Sequence, residues 1–95
     1  MSGFVDRFRT KGVVELEAIH WTGDNTGAVL EFTGTHIENG MTFPIFIDDE
    51  IDRAELYDIR LRKWFPVLIG DVIIKDSMGY RVSSPDVFAA YYEGY

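Results

Sequence analysis

Residues 13–21, "VVELEAIHW", alternate in character, with Val14, Leu16, Ala18 and His20 on one face of an extended chain and Glu15, Glu17, Ile19 and Trp21 on the other. Period two with β-branched residues predicts a strand. The next stretch, "WTGDNTGAVLEFTG", changes period at once. Thr22 and Gly23 end the strand, Asp24 is placed to cap a helix running through Phe32, and Ala28, Val29 and Phe32 form its apolar stripe. Gly34 then stands where a helix ends in a left-handed residue. A strand that turns straight into a short helix must pack that helix on its own sheet, which points to an α+β fold. The glycines of this stretch also raise the question of a phosphate loop. "GDNTG" matches neither G-x-x-x-x-G-K-[ST] nor G-x-G-x-x-G, and Asp24 puts negative charge where an anion would sit. A turn and a cap are the better reading.

The rest of the chain extends that pattern. "MTFPIFID" reads as a strand with Phe43, Ile45 and Ile47 on one face, and Pro44 places it at an edge or a bulge. "LYDIRLRKWF" alternates, with Tyr57, Ile59 and Leu61 opposed to Asp58, Arg60 and Arg62, and predicts a half-buried strand with a charged outer face. In "VLIGDVIIKDSMGYRVSS", Gly70-Asp71 marks a turn and Val72 to Lys75 a buried strand. Ser77 to Gly79 form a reversal, and Tyr80 and Val82 continue the returning strand. "SSPDVFAAYYEGY" opens like a helix, with Ser84 as cap, Pro85 in the first turn and Phe88, Tyr91 and Tyr92 as its stripe. Its last residues suit a final strand equally well. The expectation is one α+β domain over residues 13–95, after a loosely held arm over 1–12. Its mostly antiparallel sheet has four to six strands, with one helix near 25–33 and a short one near 85–91.

Ninety-five residues suffice for one domain with a modest core. The absence of cysteine excludes disulfides and cysteine-ligated zinc. Apolar runs of only a few residues do not span a bilayer, and no apolar leader opens the chain, so a cytoplasmic location is expected. Sixteen acidic residues against nine basic ones give a charge of −7, which opposes binding to nucleic acid over an extended face. The basic groups Arg7, Arg9, Lys11 and Arg60, Arg62, Lys63 hold three charges each. "RLRKWF" sets aromatics beside cations, as single-stranded nucleic-acid binders do. Alternation, however, would bury Leu61 and leave the arginines solvated, so no nucleic acid is expected. Trp64 and Phe65 either form an exposed contact site or cover the end of the sheet, and the second reading is preferred.

Catalytic patterns are sparse. Glu15 and Glu17 would lie about 6.6–6.8 Å apart along one strand face, a spacing inverting glycosidases use, but neighbours on one ribbon do not flank a cleft. His20 and His36 have no nucleophile motif beside them, so neither an enzyme, a metal nor a cofactor is expected. The most biased stretch is the acidic run Asp48, Asp49, Glu50, Asp52, Glu55 and Asp58. It lacks the order of a calcium loop and reads either as a solvated loop or as a docking surface for a basic partner. A second possibility is a nucleotide-like ligand in a pocket of His20, Trp21, Phe88, Tyr91 and Tyr92.

Glu17, Ala18, Ile19, Trp21 and Thr22 at the front, with Gly70, Asp71, Ile73, Lys75, Pro85, Asp86, Phe88, Tyr92 and Glu93 at the back, form a recognisable order. The chain thereby resembles a family of small phage and prophage accessory proteins, which carry E-A-I-x-W, then G-D-x-I-x-K and P-D-x-F-x-x-x-Y-E. It departs from them at Val13, where a proline is usual, and at His20, where a glutamine is usual. Residues 36–66 carry no such likeness. The resemblance implies expression inside a bacterial host, in a family without an established activity. It suits a non-enzymatic protein that binds a host protein through an acidic surface, as an inhibitor. The alternatives are the small-ligand binder and a minor virion component.

Overall fold

A computed structural model describes residues 5–10, 15–48, 50–51 and 53–94 of the chain. In chain order the elements are β1 (Asp6–Thr10), β2 (Glu15–His20), α1 (Thr26–Thr33), β3 (His36–Glu38), β4 (Met41–Phe43), β5 (Ile45–Asp48) and β6 (Arg53–Asp58). There follow β7 (Lys63–Val67), β8 (Val72–Asp76), β9 (Gly79–Ser83), α2 (Pro85–Tyr91) and β10 (Tyr92–Gly94). They build three antiparallel sheets: a five-stranded one ordered β10-β1-β2-β8-β9, a three-stranded one ordered β5-β6-β7, and the β3–β4 hairpin. The fold is α+β and mostly sheet, as the sequence patterning predicts.

The large sheet is covered on both faces, which explains why β2 and β8 are so apolar. On one face Leu16 and Ala18 meet Val72 and Ile74 under Phe88 of α2. On the other, Ile19, Trp21 and Ile73 pack with Val29 and Phe32 of α1 and with Ile45, Ala54, Leu56 and Val67 of the small sheet. Each Val, Leu, Ile or Phe side chain among them contributes about 1.5–3 kcal/mol on leaving water, before conformational entropy is charged against it. Helix α1 therefore joins the two sheets.

Both helices lie where their patterns place them, with one change at the start of α1. The cap position is Asn25 rather than Asp24, and the Asn25 side chain makes no cap hydrogen bond to the helix. Asn25 instead laces the strand-to-helix turn: its Oδ1 accepts from the Thr22 amide at 3.0 Å and its Nδ2 donates to the His20 carbonyl at 2.7 Å. Gly34 closes the helix in the left-handed region at φ 61°, and the Gly34 and Thr35 amides bond the Glu31 and Leu30 carbonyls. At α2, Ser84 Oγ accepts from the Val87 amide at 3.3 Å.

Two expectations are corrected. The loose arm over residues 1–12 contains a strand, because β1 pairs with β2 on one side and β10 on the other. Its register sets Arg7 opposite Glu17 and Arg9 opposite Glu15 along the backbone ladder. The continuous strand expected over "LYDIRLRKWF" is a hairpin, with β6 ending at Asp58, a turn over 59–62 and β7 starting at Lys63. Asp58 stabilises this turn: its Oδ1 accepts from the Arg60 amide at 2.9 Å and the Leu61 amide at 3.3 Å, an arrangement only aspartate and its close analogues supply. Leu61, expected inside, is 62% exposed.

Candidate functional site

The small sheet has an inner face and an outer face. Along β6, Ala54 and Leu56 point into the core, so Arg53, Glu55 and Tyr57 are directed outward. Register brings neighbours to them: Phe46 of β5 and Pro66 of β7 stand opposite Glu55, and Trp64 stands opposite Tyr57. Phe43, at the end of β4, folds onto this row. The Phe43 and Tyr57 ring centroids are 5.1 Å apart, those of Tyr57 and Trp64 5.5 Å, and those of Phe43 and Trp64 6.1 Å at 89° between planes. His36 meets the far edge of Phe43 at 5.9 Å. The result is an aromatic surface drawn from four strands.

Three shallow recesses run across it. One of about 310 Å³ is lined by Met41, Phe46, Arg53, Glu55 and Trp64. The next, about 450 Å³, shares Met41 and Trp64 and adds Thr42, Phe43, Tyr57 and Ile59. A third, about 250 Å³, continues from Phe43, Tyr57 and Ile59 to His36, Met78 and Tyr80. Shared walls make them one continuous apolar surface. Its main charged feature is the Arg53–Glu55 ion pair at 3.0 Å, and Thr42 Oγ1 is a buried hydroxyl with no hydrogen-bond partner among the described residues. Rings packed at 5–6 Å touch one another and leave no room for a cation between them, so the three aromatics form a contact surface rather than a cage. Among the described residues no group of His, Cys, Asp or Glu is placed to hold a metal ion. No helix among them is long and apolar enough to cross a membrane.

The residues singled out in the sequence are distributed differently. Asp48 and Glu50 lie at one end of the small sheet, where the Glu50 amide donates to Asp48 Oδ1 at 3.1 Å. Glu55 is on the outer face, paired with Arg53. Asp58 lies at the opposite end, is only 6% exposed, and is engaged by its own turn and by Arg60 at 3.7 Å. Asp49 and Asp52 fall outside the described residues. The four described carboxylates are therefore spread along the small sheet and its ends, and Asp58 presents no free acidic group.

The proposed ligand pocket does not converge. His20 is half-buried at the end of β2, and Trp21, 1% exposed, sits in the core shared with α1. Phe88 packs against the opposite face of the same sheet. The backbones of Tyr91 and Tyr92 mark the junction of α2 and β10, and their side chains fall outside the described residues. Glu17 is exposed with Lys75 across the ladder, and the side chain of Glu15 is likewise outside the described set. Trp64 and Phe65, treated as a unit in the sequence, point to opposite faces: Trp64 joins the aromatic surface while Phe65 carries Lys63 Nζ at 5.1 Å from its ring.

The residues missed by sequence reasoning are Met41, Phe43, Phe46 and Tyr57. The available signal was the outward register of Phe46 between Ile45 and Ile47, which leaves an aromatic on the solvent side of a strand. Comparisons with models of known protein families, with curated proteins and with solved structures find no match.

Proposed function

We propose that the protein is a small non-enzymatic binding protein that holds another protein against the outer face of β5, β6 and β7. The observation carrying this is the makeup of that face. Trp64, Tyr57, Phe43, Phe46, Met41 and Arg53 are the residue types concentrated at the energetic centres of protein interfaces, and here they line an open surface. A domain of this size that leaves such a continuous apolar surface in water has a use for it. Asp48 and Glu50 at the rim attract a basic region of the partner, giving a faster encounter in low salt. The likeness to phage and prophage accessory proteins makes a bacterial host protein the expected partner, and occupying one of its surfaces is a direct way to inhibit it.

The test uses affinity capture from host lysate with the wild-type chain and with Trp64→Ala, then titration calorimetry with the captured protein once purified. Trp64→Ala is expected to weaken binding by about 2 kcal/mol or more, roughly thirtyfold. Asp48→Asn with Glu50→Gln is expected to slow association and flatten its salt dependence. A partner that binds Trp64→Ala as tightly as wild type would show that the aromatic face is not the interface.

A further inference from the structure

Residues 36–43 form a hairpin set apart from the two larger sheets. Strands β3 and β4 pair through three residues each, His36↔Phe43, Ile37↔Thr42 and Glu38↔Met41, and join no larger sheet. The register leaves Asn39 and Gly40 as a two-residue loop, at φ 52° and φ 79°, the left-handed pair of a type I′ turn. Both residues are exposed, and a Cβ built on Gly40 would meet nothing within 4 Å. This is the one Asn-Gly pair in the chain. The other asparagine, Asn25, precedes β-branched Thr26 and has its side-chain amide bonded at both ends. A two-stranded hairpin is marginal in water unless something packs on it. Here Ile37 and Met41 are 77% and 60% exposed. Thr42 Oγ1 is buried without a hydrogen-bond partner among the described residues, which penalises the closed form. Phe43, packed on Tyr57 and Trp64, is the main tether.

We propose that Asn39 is a site of self-deamidation, and that its isoaspartyl product ages the aromatic face by keeping the hairpin from closing. The chemistry needs only the chain and water. The Gly40 amide nitrogen, on giving its proton to hydroxide, attacks Asn39 Cγ. A C–N bond forms, the Cγ–Nδ2 bond breaks, and ammonia leaves with a proton from water, which regenerates hydroxide and leaves a five-membered imide. Water then opens the ring. Opening at Cγ gives an aspartyl residue. Opening at the backbone carbonyl gives an isoaspartyl one, whose main chain runs through Cβ and Cγ and is longer by a CH₂. Glycine leaves the attacking nitrogen unshielded, since it has no side chain. The closed turn holds the Asn39 backbone away from the rotation that attack requires, so the reaction runs through the opened hairpin, a local fluctuation of low cost. The longer isoaspartyl chain no longer fits a two-residue type I′ loop, and the register that sets Met41 and Phe43 beside Trp64 is lost. Loss of binding with age rests on reading that face as the interface, whereas the deamidation itself does not. A bound partner that holds the hairpin shut slows the reaction.

The test incubates the full chain at mildly alkaline pH, folded and in urea, and reads the product by isoaspartyl methyltransferase labelling and fragment mass spectrometry. Asn39 of the folded chain is expected to lose ammonia within roughly a hundredfold of its rate in urea, and faster as pH rises. Asn39→Gly, which keeps the left-handed turn and has no side-chain amide, is expected to gain no label. The isoaspartyl form of a Trp21→Phe chain, separated by anion exchange, should show Trp64 emission at longer wavelength than the unmodified form. A folded chain that retains Asn39 beyond that ratio overturns the inference, because the hairpin then protects it. An isoaspartyl form with unchanged Trp64 emission also overturns it, because the hairpin then closes despite the longer chain. Label at Asn25 in place of Asn39 does the same. A Trp64→Ala variant that still captures the partner, in a chain that deamidates as expected, defeats the functional reading alone. Intact Asn39 in a chain whose capture needs Trp64 defeats the deamidation alone.

Discussion

Asp58 shows how far a residue's neighbourhood can change its meaning. In the sequence it closes an acidic run, while in the fold its carboxylate accepts two amides of the 59–62 turn and faces Arg60. Removing it leaves those amides without their acceptor and the hairpin without its closure. Asp58→Ala is expected to cost about 1–2 kcal/mol, lowering the melting temperature by roughly 5–15 °C, and Asp58→Asn, which keeps the acceptor, less than half as much. Thermal denaturation followed by circular dichroism measures both, and equal losses would mean that charge rather than geometry is what the turn uses. The turn was illegible beforehand because "IRLR" contains no glycine, proline or asparagine. Arg62 takes φ 54°, a region that residues other than glycine enter only when their surroundings compensate. Asn25 carries the same lesson in milder form: its side chain bonds the outgoing strand instead of the helix it precedes.

At the scale of elements, local signals and packing agree best where both are strong. Helix α1 was legible from its turn, its stripe and Gly34, and α2 from Ser84 and Pro85. A helix of seven residues is not stable alone, so α2 depends on docking Phe88 over Leu16, Ala18, Val72 and Ile74. Phe88→Ala is expected to cost about 3–5 kcal/mol, and Ser84→Ala, which removes only the cap, about 0.5–1 kcal/mol. Urea denaturation separates the two, and similar values would mean that α2 is held mainly by its cap. Strand β1 escaped notice because "DRFRT" carries no apolar alternation, and its place is set by the backbone ladders that β2 and β10 offer on either side.

As a whole, the molecule has a Cα radius of gyration of 12.8 Å, close to the roughly 12 Å of a compact domain this long. The core shared by the two larger sheets and α1 makes independent melting of the small sheet unfavourable. With Trp64→Phe, emission reports Trp21 in the core, and with Trp21→Phe it reports Trp64 on the outer face. Both are expected to change at the same urea concentration, after allowing for each variant's overall stability measured by circular dichroism. Trp64 emission changing first would reveal a separately melting small sheet. Period, caps and apolar runs were enough to determine the α+β class, both helices and the buried strands β2 and β8, because those features act over a few neighbouring residues. The aromatic face was settled only by tertiary structure. Phe43, Phe46, Tyr57 and Trp64 come from four strands, and strand register, which depends on the turn at 59–62 and on a core built elsewhere, decides that they meet. The acidic run likewise looks continuous on paper, yet an extended strand advances about 3.4 Å per residue and carries its carboxylates to opposite ends of the sheet.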